Sequence, residues 1–267
     1  MNTKNPFLIT GAGASVGLLG GLIGLGGAEF RLPILISIFK YSALPVVILN
    51  KTMSLAVVAS ALPFRASVIP FYKIAENWNI IVTLLAGSLL GALYGADLAT
   101  KMKTHTLYKV LSILLVIIAI VLFFGHNASS PSEYLLSGIS LLVVGIIVGF
   151  FIGVVAALMG VAGGELLIPT IILLFGADIK LAGSMALAVS LPTMIVGFAR
   201  YSKDKSFSVI KLEWRFVILM VIGSFIGSFL GGLLLNYIPT GVLLPLLSII
   251  LLISAVKVWK HASGKET

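Results

Sequence analysis

Apolar residues in this chain fall into ten runs separated by short polar or glycine-rich joints: 7–25, 32–39, 43–62, 79–98, 107–124, 134–159, 166–175, 181–198, 216–237 and 242–259. Most approach the roughly 20 residues that a membrane-spanning helix needs, whereas the second and seventh are about half that length and cannot cross alone. Each short run follows a cluster of glycines. The pattern predicts an all-α, polytopic membrane protein whose short helices are broken or re-entrant.

The runs form two sets of five. GLGGAEFRLP, beginning at Gly24, returns as GVAGGELLIP, beginning at Gly160, so that Glu29 matches Glu165 and Pro33 matches Pro169 at an offset of 136. The same offset places Ser54 on Ser190, Trp78 on Trp214, Gly87-Ser88 on Gly223-Ser224, Gly91 on Gly227, Gly95 on Gly231 and Thr104 on Thr240. A period this long is half a protein rather than a solenoid repeat, the internal symmetry of secondary transporters. Residues 1–132 form the first transmembrane repeat and 133–267 the second, within one integrated membrane domain.

Charge fixes the orientation. Lys101, Lys103 and Lys109 surround one turn, Arg200, Lys203, Lys205, Lys211 and Arg215 crowd one loop, and Lys257, Lys260 and Lys265 end the chain. Segments 125–133 and 236–240 contain no Lys or Arg. Under the positive-inside rule the basic joints and both termini are cytoplasmic, while loop 65–77 is external and loop 200–215 internal. The fourth and ninth runs then cross in opposite directions, so the repeats are inverted. Each pair of first and second runs becomes a hairpin whose glycine tip lies within the membrane, and the two tips meet near its middle.

Composition agrees, with 59% hydrophobic and 10% charged residues and a mean hydropathy of +1.17. The net charge of +9 sits in short joints, where it sets topology rather than binding nucleic acid. The first run carries an N-terminal lysine, but it continues directly into the repeat motif and is expected to be retained rather than removed as a signal peptide. There is no cysteine. His105, His126 and His261 lie near loops or ends and form no metal set. No motif of an enzyme or of a cofactor site appears.

Four charges fall at membrane depth: Glu29, Arg31, Lys51 and Glu165. Burying each costs about 2.5 to 3.5 kcal/mol on insertion scales, so such groups normally face a cavity with a partner and a function. The glutamates recur in both repeats and are candidate proton carriers. Arg31 and Lys51 do not recur, since Leu167 and Leu187 stand at the matching positions. They are candidate anion ligands, together with N–H groups at Gly26, Gly27, Gly163 and Gly164, where helix starts present unpaired donors and a partial positive charge. The plainer alternative is that both cations only neutralise the glutamates. Ser54 and Ser190 are pocket-lining candidates, and Asn50, Thr52 and Ser184 weaker ones, because small hydroxyls in membrane helices often bond their own backbone. The glycines at 87, 91 and 95, at 145, 149 and 153, and at 223, 227 and 231 are expected to be helix contact surfaces. Trp78, Trp214 and Trp259 are expected at the membrane interface.

The stretches from Gly21 to Leu35 and from Met159 to Ser184, with SLPTM at Ser190 to Met194, resemble the sulfite exporter TauE/SafE family, in which a glycine-rich break, a proline and an apolar half-helix occur once in each half. The resemblance covers essentially the whole chain. It implies a carrier of small sulfur-containing anions such as sulfite or sulfonates, working in the inner (cytoplasmic) membrane as a multi-pass protein. Many members lack a glutamate directly after the glycines, so the pair here marks a subgroup. Its expected partners are a small anion and the lipid bilayer, with a homo-oligomer compatible. A passive anion channel and a non-transporting scaffold subunit are the competing readings.

Overall fold

The computed structural model describes residues 5–23, 27–65, 69–124, 138–177, 179–234 and 240–262. The first repeat comprises α1 (Pro6–Ile23), α2 (Ala28–Ser37), α3 (Ala43–Arg65), α4 (Phe71–Glu76), α5 (Trp78–Lys101) and α6 (Thr104–Phe124). The second comprises α7 (Gly138–Met159), α8 (Gly164–Phe175), α9 (Ile179–Tyr201), α10 (Ser208–Leu212), α11 (Trp214–Leu234) and α12 (Thr240–Ala262). Among the described residues there is no strand. The starts of α2, α3, α5 and α6 recur in α8, α9, α11 and α12 at the sequence offset of 136. By length and apolarity α5, α7, the Leu181–Tyr201 part of α9 and the Trp214–Gly231 part of α11 can each cross a membrane.

The strongest packing joins the repeats rather than the helices within one. α1 lies against α11, and their counterparts α7 and α5 lie against each other. Glycine makes both contacts close. A Cβ on Gly13 or Gly17 would strike the backbone of Met220 or Ser224, and one on Gly223 or Gly227 would strike that of Thr10 or Ala14. At the other contact Gly87, Gly91 and Gly95 face Ile146, Phe150 and Val154, while Gly149 and Gly153 face Leu84 and Ser88. In both pairs residue numbers rise together, so the partners run parallel. α6 and its copy α12 run antiparallel: Ser112 Oγ donates to the Ala255 carbonyl at 2.7 Å, and one turn earlier Lys109 lies over the Trp259 ring.

Both short helices turn back. Phe39 and Tyr41, just beyond α2, stack edge-on against Phe216 at the start of α11, whose next turns lie beside the first half of α1. The chain has therefore returned to the end at which α1 began. Burial and the neighbouring Glu213 carboxylate push the pKa of the Tyr41 hydroxyl up. In the second repeat Phe175, at the end of α8, reaches the space beside Gly145 near the start of α7.

Large apolar side chains cover the outside, among them Phe151, Phe229 and Leu90, each more than half exposed. Such a surface suits lipid and not water. Trp78 and Trp214 begin their helices and are exposed, as interfacial anchors are.

Two details differ from the sequence expectation. α2 and α8 begin at Ala28 and Gly164, not at 32 and 166, so each glutamate lies in a first helical turn. Pro33 and Pro169 fall in the second turn. Lacking an N–H, neither can donate to the carbonyl of the glutamate four residues earlier.

Candidate functional site

Each half-helix starts from a glycine in the left-handed region, Gly27 with φ of 70° and Gly163 with φ of 79°. Only glycine takes this conformation without penalty. It turns the incoming chain so that the Gly27 carbonyl accepts from the N–H groups of Phe30 and Arg31, and the Gly163 carbonyl from those of Leu166 and Leu167. The N–H groups of the cap and of the next two residues have no acceptor within the helix. Gly26 lies outside the described residues. Gly163 caps α8 and Gly164 is its first residue.

Glu29 and Glu165 occupy these two helix starts, and their carboxyl groups lie against each other. Each also approaches its own backbone N–H. Even so, Oε1 of Glu29 and both carboxyl oxygens of Glu165 are buried without reaching hydrogen-bond geometry with any described residue. The helix starts expected to await an anion thus already face acidic side chains, a favourable pairing with the helix dipole.

Arg31 is fully buried. Its Nη1 donates to Asn50 Oδ1 at 3.3 Å and to Ser54 Oγ at 3.2 Å, and its Nη2 donates to Ser224 Oγ at 3.3 Å. These acceptors are neutral, and Nε has no partner among the described residues. Asn50 does more than accept. Its Nδ2 donates to the Ala28 carbonyl and to the Met159 carbonyl, both at 3.1 Å. One amide on α3 therefore ties the start of α2 to the end of α7.

Lys51 stands apart from Arg31. Its Nζ donates to the Ala156 carbonyl at 3.3 Å, and its stem fills the space over Gly197. Nearby, Tyr201 donates to the Ala157 carbonyl at 2.9 Å. Asn50 thus supplies a donor to the last carbonyl of α7, while Lys51 and Tyr201 add second donors to the Ala156 and Ala157 carbonyls, which already accept from the backbone N–H groups of Val161 and Gly160.

The offset shows what the second repeat lacks. Leu167, Ala186 and Leu187 stand where Arg31, Asn50 and Lys51 stand in the first. Ser190, the counterpart of Ser54, is buried with no partner for its hydroxyl among the described residues. Ser88, the counterpart of Ser224, pairs instead with Thr193 at 2.7 Å. The structure thus brings Glu29, Glu165 and the capping glycines to one place and surrounds Arg31 with Asn50, Ser54 and Ser224. Sequence reasoning ranked Asn50 low and missed Ser224 and Tyr201. For Ser224 the signal was present, since it is the hydroxyl next to a glycine in both repeats.

Comparisons with known proteins agree with one another. The family model described as sulfite exporter TauE/SafE matches residues 9–258. A relative in Methanocaldococcus jannaschii, described as a probable membrane transporter protein, is 29% identical over 202 residues, which are 73% of this chain and 72% of that relative. No solved structure matches the chain.

Proposed function

The chain belongs to the sulfite exporter TauE/SafE family and is a membrane transporter rather than an enzyme; from that premise we propose that it is a secondary carrier of small sulfur-containing oxyanions in the cytoplasmic membrane, coupled to protons. The antiparallel course of the copy-related helices α6 and α12 supports inverted repeats, divided near residues 132 and 133. In that topology the α1/α2 hairpin enters from the cytoplasmic side and the α7/α8 hairpin from the outside.

The observation that carries the reading is a buried guanidinium held only by neutral hydrogen-bonding groups, close to two half-helix starts. Glu29 acts on the guanidinium through space but forms no hydrogen bond with it among the described residues, so the guanidinium donors remain exchangeable for those of an anion. Arg31 binds the substrate with its unused Nε–H, and with Nη donors released as Ser54 and Ser224 rotate. Free amides at Gly27, Gly163 and Gly164 assist, with Ser190 as a further hydroxyl. Gly26, next to Gly27 in the sequence, is a further candidate donor. Lys51, on α3, adds positive field from beside the end of α7. Glu29 and Glu165 share a proton, because two carboxylates in contact at low dielectric repel strongly unless one is neutralised.

Flux into proteoliposomes, measured for sulfite, sulfoacetate, thiosulfate and sulfate with and without a pH gradient, tests the proposal. Arg31→Gln should weaken binding of the preferred anion by about 10- to 150-fold, the equivalent of losing one charge-assisted hydrogen bond. Unchanged affinity in a folded, monodisperse Arg31→Gln protein removes Arg31 as the ligand. Flux indifferent to the pH gradient removes the coupling.

A further inference from the structure

Between α6 and α12 an apolar groove of about 460 Å³ opens on the outer surface of the bundle, walled by Ile113, Val116, Ile117 and Val256 and bounded at one end by Trp259 and Lys260. Ile113, Ile117 and Val256 are each more than 40% exposed. The hydroxyl of Ser112 is occupied by the Ala255 carbonyl, so the wall presents hydrocarbon. Lys109 adds a second ammonium at the same end, over the Trp259 ring at 5.7 Å.

Because α6 and α12 are copies of each other, the opposite end of this pair provides a built-in comparison. There the wall positions are Ile249, Leu252, Ile253 and Ile120, apolar again. The end positions are not conserved between the copies. Where one end has Lys109, Trp259 and Lys260, the other has Pro245, Phe123 and Phe124. Helix packing accounts for the shared apolar walls. The positive-inside rule and the interfacial preference of tryptophan account for cations and an indole at one end, and the groove places them at the mouth of a hydrocarbon channel.

We infer that this groove is a binding site for one anionic phospholipid, with an acyl chain along Ile113, Val116, Ile117 and Val256 and the phosphate between Lys109 and Lys260. Trp259 sits at headgroup depth, the level such rings favour. Basic pockets between helices at the cytoplasmic face suit anionic headgroups. The occupant is a lipid rather than a soluble anion because the groove continues from the cations into hydrocarbon walls. The assignment to the cytoplasmic leaflet rests on the topology proposed above; the preference for anionic lipid does not.

Native mass spectrometry of the full-length protein with phosphatidylglycerol and phosphatidylcholine of identical chains decides the matter. Each lysine near a headgroup contributes about 5-fold, so the wild type should prefer phosphatidylglycerol by about 25-fold. Lys109→Gln with Lys260→Gln should bring the preference close to one, with phosphatidylglycerol losing much more binding than phosphatidylcholine. Val116→Trp, which fills the groove, should lower retention of both lipids. Equal binding by the wild type, or full preference in the double lysine variant, overturns the inference. So does a Val116→Trp protein that passes from dimer to monomer with its bound lipid unchanged, because the groove then belongs to a second copy of the chain. The lysine variants alter only the rim, so they decide the question even if Val116→Trp does not fold.

Discussion

Replacing Asn50 by alanine removes a side chain that bonds both hairpins and Arg31 at once. Three hydrogen bonds are lost: two from Nδ2 to the carbonyls of Ala28 and Met159, and one that Oδ1 accepts from Arg31. Neutral bonds contribute about 0.5 to 1.5 kcal/mol each and a bond to a charged group about 1.5 to 3, which sets a ceiling near 6 kcal/mol. Interhelical bonds measured inside membranes average only about 0.6 kcal/mol each, which sets a floor near 2. The expected loss for Asn50→Ala is therefore about 2 to 4 kcal/mol. Unfolding in mixed detergent micelles, followed by tryptophan fluorescence, measures it. Thr52→Ala is the control, because Thr52 lies two residues along the same helix and bonds only the carbonyl of Ile48 within its own turn. A double-mutant cycle with Arg31→Gln should then return a coupling that Thr52→Ala does not show. If Asn50→Ala is no less stable than Thr52→Ala, the two hairpins are not joined through this amide and the description of the site is wrong.

Other outcomes follow from the same geometry. Glu29→Gln with Glu165→Gln keeps size and hydrogen bonding but removes titration, so proton-driven flux should collapse while passive exchange survives; full proton-driven flux in the double variant shows that the carrier lies elsewhere. Single cysteines at Glu76 and Lys203, introduced into a chain with no cysteine of its own, should react with impermeant reagents from opposite sides, and labelling from the same side rules out inversion. Gly91→Ala would set a Cβ against the Phe150 backbone and should cost about 1 to 3 kcal/mol. Gly11→Ala meets nothing within 4 Å and should be neutral, so equal losses at the two glycines would refute the close α5–α7 packing.

The architecture was legible because duplication left its punctuation in register. Gly24, Glu29 and Pro33, echoed at Gly160, Glu165 and Pro169, mark the break and the half-helix by local backbone chemistry alone. The apolar run places the start of α2 four residues late because Glu29 and Arg31 interrupt it, whereas the left-handed Gly27 starts the helix at Ala28. The helices α4 and α10, of six and five residues, are too short to show a period. The surroundings of Arg31 were hidden for another reason: Ser224 lies 193 positions away, and nothing local announces which hydroxyl will meet a given guanidinium. Asn50 could be found but not ranked, since its importance comes from two backbone carbonyls on separate elements.

The glycine-lined contact between α1 and α11 also bears on how the protein is made. α1 packs mainly against α11, with Gly13 beside Met220 and Gly17 beside Ser224. α1 must therefore wait in the bilayer, its glycine face covered only by lipid, until more than two hundred further residues have been inserted. Contacts this distant in sequence are slow to form and leave early segments open to wrong partners. A chain stopped after residue 132 would hold α1 and α5 without α11 and α7, so half the protein is not half a folded protein. Separately expressed halves should instead be unstable alone and recover when they meet in one membrane.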